Sequence, residues 1–185
     1  LYTADELAGL AVIANTENQF NGKTVKLGAD IDLENQEWIP IGIWNGPDNF
    51  PASFTGVFDG KGHTISNLTI SDQSLNYIGL FGWIGAGAIV SNITLENVTV
   101  SGSNYVGALT GFVDTYEGRI AFIKNCSVIG GNVSAEYNEY TTFLPCVGGL
   151  IGSTRQCPEI IYCYAEVTVS GDYGAGGIVG NLDSG

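Results

Sequence analysis

The chain of 185 residues has 6 basic and 19 acidic residues and a formal charge of −13. This excess of negative charge disfavours nucleic acids and anionic membrane surfaces as partners, because both bind through clustered Lys and Arg. With 27 glycines, 14% charged residues and no methionine, the composition is typical of a turn-rich β protein and not of a disordered acidic tail. The length suits one domain over residues 1–185.

The sequence also bears on where the protein is located. No run of about 18 apolar residues is present, so no membrane insertion is predicted. The chain begins at Leu1 without an initiator Met, which indicates a mature or trimmed segment, and we expect a fragment of a longer protein. Few lysines together with many Asn, Thr, Gly and Tyr residues are typical of extracellular or cell-surface proteins.

Residues 1–53 are predicted to form an N-terminal cap and leader. Thr3 and Glu6 form a capping box, which predicts the start of an α-helix. The buried face of this helix is predicted to consist of Leu7, Leu10, Ala11 and Ala14. From Thr24 to Leu33 apolar and polar residues alternate, which predicts one strand with a single buried face. A helix before strands suits the end of a stack of β coils, where unpaired backbone must be covered.

Residues 54–185 contain a glycine-framed motif four times. Its copies are 77–82, 105–111, 146–152 and 174–180, and the first copy is one residue shorter than the others. Their spacing of roughly 30 to 40 residues is that of supersecondary units that stack as solenoids. Before the first copy, the segment 59–62 contains two glycines and predicts a tight reversal or a corner.

Two further segments recur before each glycine motif. The first occurs at 65–70, 90–95, 123–128 and 160–165, and the second at 98–102, 133–134 and 167–171. Three short strands separated by Gly, Asn and Ser corners make one turn of a roughly triangular coil, and such turns stack at about 4.8 Å. The sequence therefore predicts an all-β parallel β-helix with three strands per coil and an N-terminal α-helical cap.

These motifs resemble the GLUG-motif β-helix domains of bacterial cell-surface proteins. The resemblance lies in the repeated Gly-x-Leu-x-Gly unit, in the Ile-x-Asn-Cys and Val-x-Val-Ser-Gly segments, and in the Phe-x-Gly-x-Phe-Asp-Gly pattern that begins at Phe54. It covers nearly the whole chain and implies a right-handed parallel β-helix on a secreted or surface-anchored protein, often associated with adhesion. The family motif is structural, so the resemblance implies no catalytic residues. The sequence departs from the family pattern in three places. The first glycine motif is short, Tyr162 stands in place of Asn, and the interval between the second and third copies is long.

The four cysteines and the single histidine, His63, do not have the spacing of a zinc site. Cys126 and Cys163 occupy equivalent repeat positions, which predicts two small apolar side chains in adjacent layers of the core. For the other two cysteines, Cys146 and Cys157, the sequence leaves two alternatives, namely free thiols or a disulfide in an oxidising compartment. His63 lies in a turn and is predicted to pack or to form a hydrogen bond.

A polysaccharide-cleaving β-helix is the enzymatic alternative. Its candidate acids, bases or calcium ligands are Asp30, Asp32, Asp59, Asp114, Glu117, Glu136 and Glu139. Asp30 and Asp32 are predicted on the solvent face. Lyase chemistry also needs Lys or Arg beside the carboxylates, and the chain has only 6 Lys and Arg residues in all. We therefore expect no enzymatic activity, no cofactor and no bound metal.

Two insertions, at 114–118 and 135–143, lengthen the interval between the second and third copies of the glycine motif and are predicted to be surface loops of the kind that form binding faces. Aromatic residues in loops are the candidate ligand contacts, because exposed rings stack on sugars and anchor protein partners. These candidates are Trp44, Tyr116, Tyr137, Tyr140 and Phe143. The opposite interpretation, in which the rings cover apolar ends of the coil, stays open.

The sequence as a whole predicts a non-catalytic structural and adhesion module that is secreted or displayed at the cell surface. Its expected partner is a host or matrix protein or a glycan. A carbohydrate-binding module of a larger secreted enzyme is the alternative. Because the chain stops just after a repeat, we expect further repeats or domains in the parent protein.

Overall fold

The computed structural model describes residues 1–16, 19–43, 52–137 and 144–183. They form a parallel β-helix of about four coils preceded by one α-helix, so the predicted fold class and the predicted cap are confirmed. The helix α1 is Ala4–Thr16. The strands are, in chain order, β1 (Thr24–Lys26), β2 (Ile31–Asp32), β3 (Val57–Asp59), β4 (Thr64–Ser66), β5 (Thr69–Ile70), β6 (Asn76–Ile78), β7 (Phe81–Ile84), β8 (Ile89–Gly102), β9 (Asn104–Gly107), β10 (Thr110–Asp114), β11 (Phe122–Ala135), β12 (Cys146–Gly148), β13 (Ile151–Arg155), β14 (Glu159–Ile161), β15 (Tyr164–Gly171), β16 (Gly174–Gly176) and β17 (Val179–Asp183).

Each coil is one passage of the chain through three parallel sheets. Sheet 1 has the order β1-β3-β8-β11-β14, with β2, β4, β5 and β15 paired alongside. Sheet 2 has the order β6-β9-β12-β16, and sheet 3 has the order β7-β10-β13-β17. We name β1 and β2 the leader coil, β3 to β7 coil 1, β8 to β10 coil 2, β11 to β13 coil 3, and β14 to β17 coil 4. The ladders between successive coils are parallel.

The helix α1 begins with the predicted capping box and covers the leader coil. Thr3 Oγ1 accepts a hydrogen bond from the backbone N–H of Glu6 at 3.2 Å, and the Glu6 carboxylate accepts one from Tyr2 N–H at 2.6 Å. The predicted apolar face of α1 is buried. Asn15 then joins the helix to the leader, since its Oδ1 accepts from Gly42 N–H at 2.7 Å. Among the described residues, no helix is long and apolar enough to cross a membrane.

The prediction of a single strand from Thr24 to Leu33 is wrong, because the chain leaves the sheet between β1 and β2. Gly28 N–H donates to the carbonyl of Leu1 at 2.8 Å, and the Tyr2 ring occupies the space where a Gly28 Cβ would lie. The packing of the N-terminus against this turn thus divides the strand. Leu33 stays buried, so the predicted apolar face is kept.

The two segments predicted as separate strands before each glycine motif are one continuous strand in coils 2 and 3, namely β8 and β11. Each bends at asparagines in the left-handed region, with φ values of 56° at Asn92, 55° at Asn97 and 52° at Asn125. Asn tolerates this conformation better than most residues. The glycine motif consequently supplies two strands, one in sheet 2 and one in sheet 3, and not a single third side. The number of three strands per coil holds for coils 2 and 3.

Asparagine side chains connect the bends of successive coils. Asp59 Oδ1 accepts from Asn92 Nδ2 at 2.9 Å, and Asn92 Oδ1 accepts from Asn125 Nδ2 at 3.0 Å. At the next bend, Asp32 Oδ1 accepts from Asn67 Nδ2 at 2.7 Å. An amide that both donates and accepts can continue such a ladder, and an aspartate acceptor begins it. The predicted corner at 59–62 is therefore confirmed as a corner.

The interior of the stack is filled by columns of apolar side chains from equivalent positions. One column in sheet 1 runs through Phe58, Val90 and Ile123, which are fully buried, to Ile160 in coil 4, which is only partly buried. Burial of one such side chain contributes about 1.5–3 kcal/mol. The equivalent side chain in coil 4 therefore contributes less to stability, because no further coil covers the interior of coil 4 among the described residues.

Sheets 2 and 3 approach each other through glycines, backbone against backbone. A Cβ built at Gly152 of sheet 3 would lie 2.5 Å from the backbone N of Val106 in sheet 2. A Cβ at Gly111 would meet the backbone of Ile78 and Tyr77 at a similarly forbidden distance. The shorter first copy does not shift this arrangement, because Phe81 pairs with Thr110 while Ile78 pairs with Val106. The glycines of the motif are thus required for the two sheets to touch.

Substitution at these glycines tests the close approach. Gly152→Ala is expected to destabilise the protein by about 3 kcal/mol or more, because the new methyl group would overlap backbone that cannot rotate away. Gly177→Ala is the matched control within the last copy of the motif, since a Cβ there meets nothing within 4 Å. The free energy of unfolding by urea measures both changes. Equal stability of the two variants would contradict the steric role of Gly152.

Tyr162 stands where Asn is found in the preceding coils, and its φ is 54° with 87% of its surface exposed. Tyr162→Asn is expected to stabilise the protein by about 1 kcal/mol, because Asn tolerates this φ and places an amide beside that of Asn125. Thermal or urea unfolding measures the change. Tyr162→Ala is the control, since it removes the ring without supplying the amide, and a gain as large in Tyr162→Ala would refute the ladder explanation.

Candidate functional site

The described residues include two of the five aromatic residues predicted to contact a ligand, Tyr116 and Tyr137, while Trp44, Tyr140 and Phe143 lie outside them. Tyr116 follows β10 in the turn from sheet 3 back to sheet 1 and is 55% exposed. Tyr137 follows β11 in the turn from sheet 1 to sheet 2 and is 47% exposed. Both rings are thus on the surface as predicted, but they belong to different corners of the coil.

Tyr137 forms a surface pair with Tyr173, a residue that the sequence prediction missed. The two ring centroids are 5.5 Å apart with an interplanar angle of 53°. The register of coils 3 and 4 produces the pair, because Ala135 lies beside Gly171 and the chains continue in parallel. Asp172 joins them, since its Oδ2 accepts from Tyr137 N–H at 3.1 Å. We name Tyr137, Asp172 and Tyr173 the tyrosine surface.

Tyr116 lies beside an ion pair that spans coils 2 and 3. Arg155 binds the Asp114 carboxylate with two hydrogen bonds, Nε to Oδ1 at 2.9 Å and Nη2 to Oδ2 at 2.5 Å. The hydrogen bonds that Arg155 donates to Asp114 are the main reason that the pKa of Arg155 is raised, and the Asp183 and Tyr116 side chains add to it. Forked pairs of this kind are geometrically well defined. The pair thus links coils 2 and 3 at this turn, and we name Asp114, Tyr116 and Arg155 the arginine corner.

A second group of aromatic residues, which the sequence prediction also missed, lies between sheets 2 and 3. We name Tyr77, Trp83, Tyr105 and Phe112 the aromatic cluster. Tyr77 stacks on Tyr105 with centroids 4.8 Å apart and on Trp83 at 5.4 Å, and Phe112 packs edge-on against Trp83 at 5.0 Å. A recurrent signal was present in the sequence, because each tyrosine stands two residues before a motif glycine. The rings cover one another, which makes the cluster a packing element that adjoins the arginine corner.

Electrostatics connect the aromatic cluster to its surroundings. Burial raises the pKa of Tyr105 to about 12, with smaller contributions from Tyr77, Cys146 and Asp183. Burial also raises the pKa of Tyr77, and the positive charge of Arg155 partly opposes this. Both hydroxyls consequently stay protonated at neutral pH. They can donate or accept hydrogen bonds but cannot act as bases there.

Three buried polar atoms have no hydrogen-bond partner among the described residues, namely Asn104 Oδ1, Thr115 Oγ1 and Thr154 Oγ1. Asn104 begins β9, Thr115 follows β10 and Thr154 lies in β13. An unpaired buried polar group costs about 1–3 kcal/mol, so each of these groups lowers the stability of its coil.

The acidic residues considered for catalysis serve the corners of the coil. Asp30 accepts from Thr64 N–H and from His63 Nδ1, both at 3.0 Å, and the backbone bond is the larger cause of its lowered pKa. Burial raises the pKa of Asp59, but hydrogen bonds from Asn92 and the Lys61 backbone outweigh it and the pKa is lowered. Such values suit hydrogen-bond acceptors, whereas a general acid needs a raised pKa. The predicted hydrogen-bonding role of His63 is confirmed.

The remaining candidate carboxylates are dispersed. Asp114 is paired with Arg155, Glu117 lies in the turn after β10, Glu136 follows β11, and Glu139 lies outside the described residues. A cleft of about 570 Å³ between α1 and the leader coil has acidic residues in its wall, which are Asp5, Asp30, Asp32, Glu34 and Glu37. Within the described parts of the chain, no three His, Cys, Asp or Glu residues are placed to hold a metal ion.

Comparisons with known proteins find two relatives. The chain is 34% identical over 178 residues to halomucin of Haloquadratum walsbyi, which covers 91% of this chain but 2% of that protein. It is 40% identical over 90 residues to a putative Gly-rich membrane protein of Evansella cellulosilytica, which covers 47% of this chain and 10% of that protein. The chain thus spans a small part of each relative. No protein-family model and no solved structure matches it.

The ion pair at the arginine corner can be tested by a double-mutant cycle. Arg155→Met is expected to cost about 2 kcal/mol, because it leaves the mostly buried Asp114 carboxylate without a cation, and Asp114→Leu in the same background is expected to recover part of this. Urea unfolding of the two single variants and the double variant gives the coupling energy. Lys61→Met is the control, since its pair with Asp59 is at 3.9 Å and exposed. Additive single effects would disprove the coupling.

Proposed function

We propose that the chain is a non-catalytic structural and adhesion module of the GLUG type, secreted or displayed at the cell surface. The observation that supports it best is the tyrosine surface, in which exposed rings stand on a corner of a rigid coil. The glycines and asparagines of the repeat stack the coil, and Tyr137 belongs to the insertion at 135–143 that departs from the repeat in the sequence. Binding residues on loops that a rigid scaffold positions are a common arrangement.

The proposed location is supported by the relatives and by composition. The names halomucin and putative Gly-rich membrane protein point to proteins at the cell surface. The formal charge of −13 with only 6 basic residues suits a protein that stays soluble outside the cell. The repeat with its resemblance to surface domains of bacteria agrees with this location.

The adhesive role is supported by the chemistry of the tyrosine surface. Tyr137 and Tyr173 are about half exposed, and together they offer two apolar ring faces with hydroxyls at their edges. Tyrosine is enriched at binding interfaces because it buries a large area with few rotatable bonds. Asp172 adds a carboxylate that accepts from the backbone N–H of Tyr137. We infer that the partner, a host or matrix protein or a glycan, contacts this surface.

A carbohydrate-binding module of a larger secreted enzyme is the second candidate. It is favoured by one observation, the pairing of aromatic rings with a neighbouring carboxylate, which is an arrangement that can stack on a sugar and accept hydrogen bonds from its hydroxyls. The two candidates differ in ligand class and in the protein to which the module is attached. Both use the same surface, so one experiment addresses them.

We further propose that additional coils of the same repeat stack on coil 4 in the parent protein. The inward side chains of coil 4 are only partly buried, whereas their equivalents in coils 2 and 3 are fully buried. A coil with the same register would cover this face and would pair with the free edges of its strands. This proposal concerns assembly and is independent of the ligand.

Binding is tested with the purified chain on a glycan array and on a panel of extracellular matrix proteins. Tyr137→Ala is expected to weaken the strongest interaction at least about tenfold, because it removes one ring of the pair. Tyr116→Ala tests the arginine corner in the same assay. Tyr162→Ala is the matched control, since this ring is 87% exposed and lies in the bend between β14 and β15, outside both turns that carry Tyr137 and Tyr116.

Unchanged binding in Tyr137→Ala, or an equal loss in the Tyr162→Ala control, would contradict the role of the tyrosine surface. Selective binding to glycans would favour the carbohydrate-binding candidate. Depolymerisation of a glycan that is abolished by Asp or Glu substitution would overturn the non-catalytic assignment.

A further inference from the structure

Cys126 in β11 and Cys163 in the bend between β14 and β15 occupy neighbouring positions of coils 3 and 4. Lys124 pairs with Ile161 and Ser127 pairs with Tyr164, so the residues between them are also in register. Paired residues in adjacent strands lie about 4.8 Å apart, within the Cα separation that a disulfide can span. The backbone therefore brings the two cysteines together without any rearrangement of the chain.

The two side chains influence each other, since each is the first cause of the shift in the pKa of the other. Each thiol donates to a backbone carbonyl two residues before it, Cys126 to Lys124 O at 3.2 Å and Cys163 to Ile161 O at 3.5 Å. Cys126 is buried in the core, whereas Cys163 is partly exposed on the open face of coil 4. In the isolated chain, where no further coil covers this face among the described residues, a reagent can thus reach one thiol of the pair from solvent.

The other two cysteines are placed differently. Cys146 begins β12 in sheet 2, and Cys157 lies in the exposed turn after β13 with φ of 52°. All four cysteines are free thiols in this structure, including the Cys146 and Cys157 pair that the sequence left open. The predicted placement of Cys126 and Cys163 in adjacent layers of the core is confirmed.

We propose that Cys126 and Cys163 form a disulfide that covalently ties coil 4 to coil 3 when the protein meets a small-molecule disulfide. The Cys163 thiolate attacks one sulfur of the reagent. This forms a mixed disulfide between Cys163 and that half of the reagent, and the other half leaves as a small thiolate. The Cys126 thiolate then attacks the Cys163 sulfur and releases the second small thiolate. The protons of the two cysteines pass to the released thiolates, so the protein pair is oxidised and the reagent is reduced to two thiols.

The electrostatics of the pair suit this order of attack. The interaction with Cys126 is the largest reason that the pKa of Cys163 is lowered, while the interaction with Cys163 and burial raise the pKa of Cys126. The thiolate is the nucleophile in thiol–disulfide exchange, and exposure decides which sulfur reacts first. Cys163 is therefore the attacking residue and Cys126 the resolving one.

The cross-link acts where the stack is least supported. Coil 4 has its outer face uncovered among the described residues, so the ladders to coil 3 and the partly buried side chains hold it. A disulfide between residues 126 and 163 closes a loop that contains most of coil 3, and it restricts the unfolded chain. An oxidising environment follows from the surface location proposed above, whereas the pairing itself rests on the register.

The test uses the full chain with Cys146→Ser and Cys157→Ser, which leaves Cys126 and Cys163 as the only thiols. The folded protein is incubated with glutathione disulfide, alkylated and digested with trypsin, which cuts after Lys124 and Arg155. The expected product is peptide 125–155 linked to peptide 156–185. The unfolding midpoint of the oxidised form is expected to rise by roughly 5–10 °C over the reduced form.

Two controls make the result decisive. With Cys126→Ala added, Cys163 is expected to remain as a mixed disulfide with glutathione, and the rise in midpoint is lost. Alkylation mapping of the chain with all four cysteines repeats the measurement without the serine substitutions. Two free thiols after oxidation of the folded protein, or a midpoint lower than that of the reduced form, would overturn the proposal.

Discussion

The contact between the backbones of sheets 2 and 3 is the constraint on which the coil depends. At Gly111 and Gly152 the opposing strand lies where a side chain would begin, so the two arms of each glycine motif can touch only without a Cβ. This approach turns the residues between the arms inward, where Leu109 and Leu150 are fully buried. Glycine costs conformational entropy on folding, and the burial of these leucines offsets that cost. The spacing of the repeat is therefore fixed by sterics before any side-chain interaction is considered.

Much of this architecture could be predicted from the sequence because stacking repeats its residues. The recurrence of the glycine motif predicts coils, and the alternation of apolar residues predicts which side chains face inward. The division of each coil was harder to predict, because Asn92 and Asn97 bend β8 through the left-handed region without ending it. A propensity argument treats Asn as a strand terminator. In a β-helix the same residue marks a corner, since its amide bonds to the coil before it.

The candidate site was predicted in part, and the reason for the omissions is register. Tyr137 is identifiable as an aromatic residue in an insertion, whereas its neighbour Tyr173 has no such signal and becomes a partner only when coils 3 and 4 are aligned. The aromatic cluster has the same origin, because Trp83 and Phe112 pair across coils 1 and 2. Contacts between coils join residues about 30 positions apart, and local patterns in the sequence do not report them.

The two ends of the stack differ in the residue types that occupy equivalent positions. The position held by Trp83 and Phe112 in coils 1 and 2 is held by Ser153 and Asn181 in coils 3 and 4. Ring packing thus supports the N-terminal half of the stack, while small polar side chains occupy the same column in the C-terminal half. The tyrosine surface and the Cys126–Cys163 pair both join coils 3 and 4, where this support is missing. Local opening is easiest where buried apolar contacts are fewest, so these cross-coil contacts hold together the part of the molecule that presents its proposed binding residues.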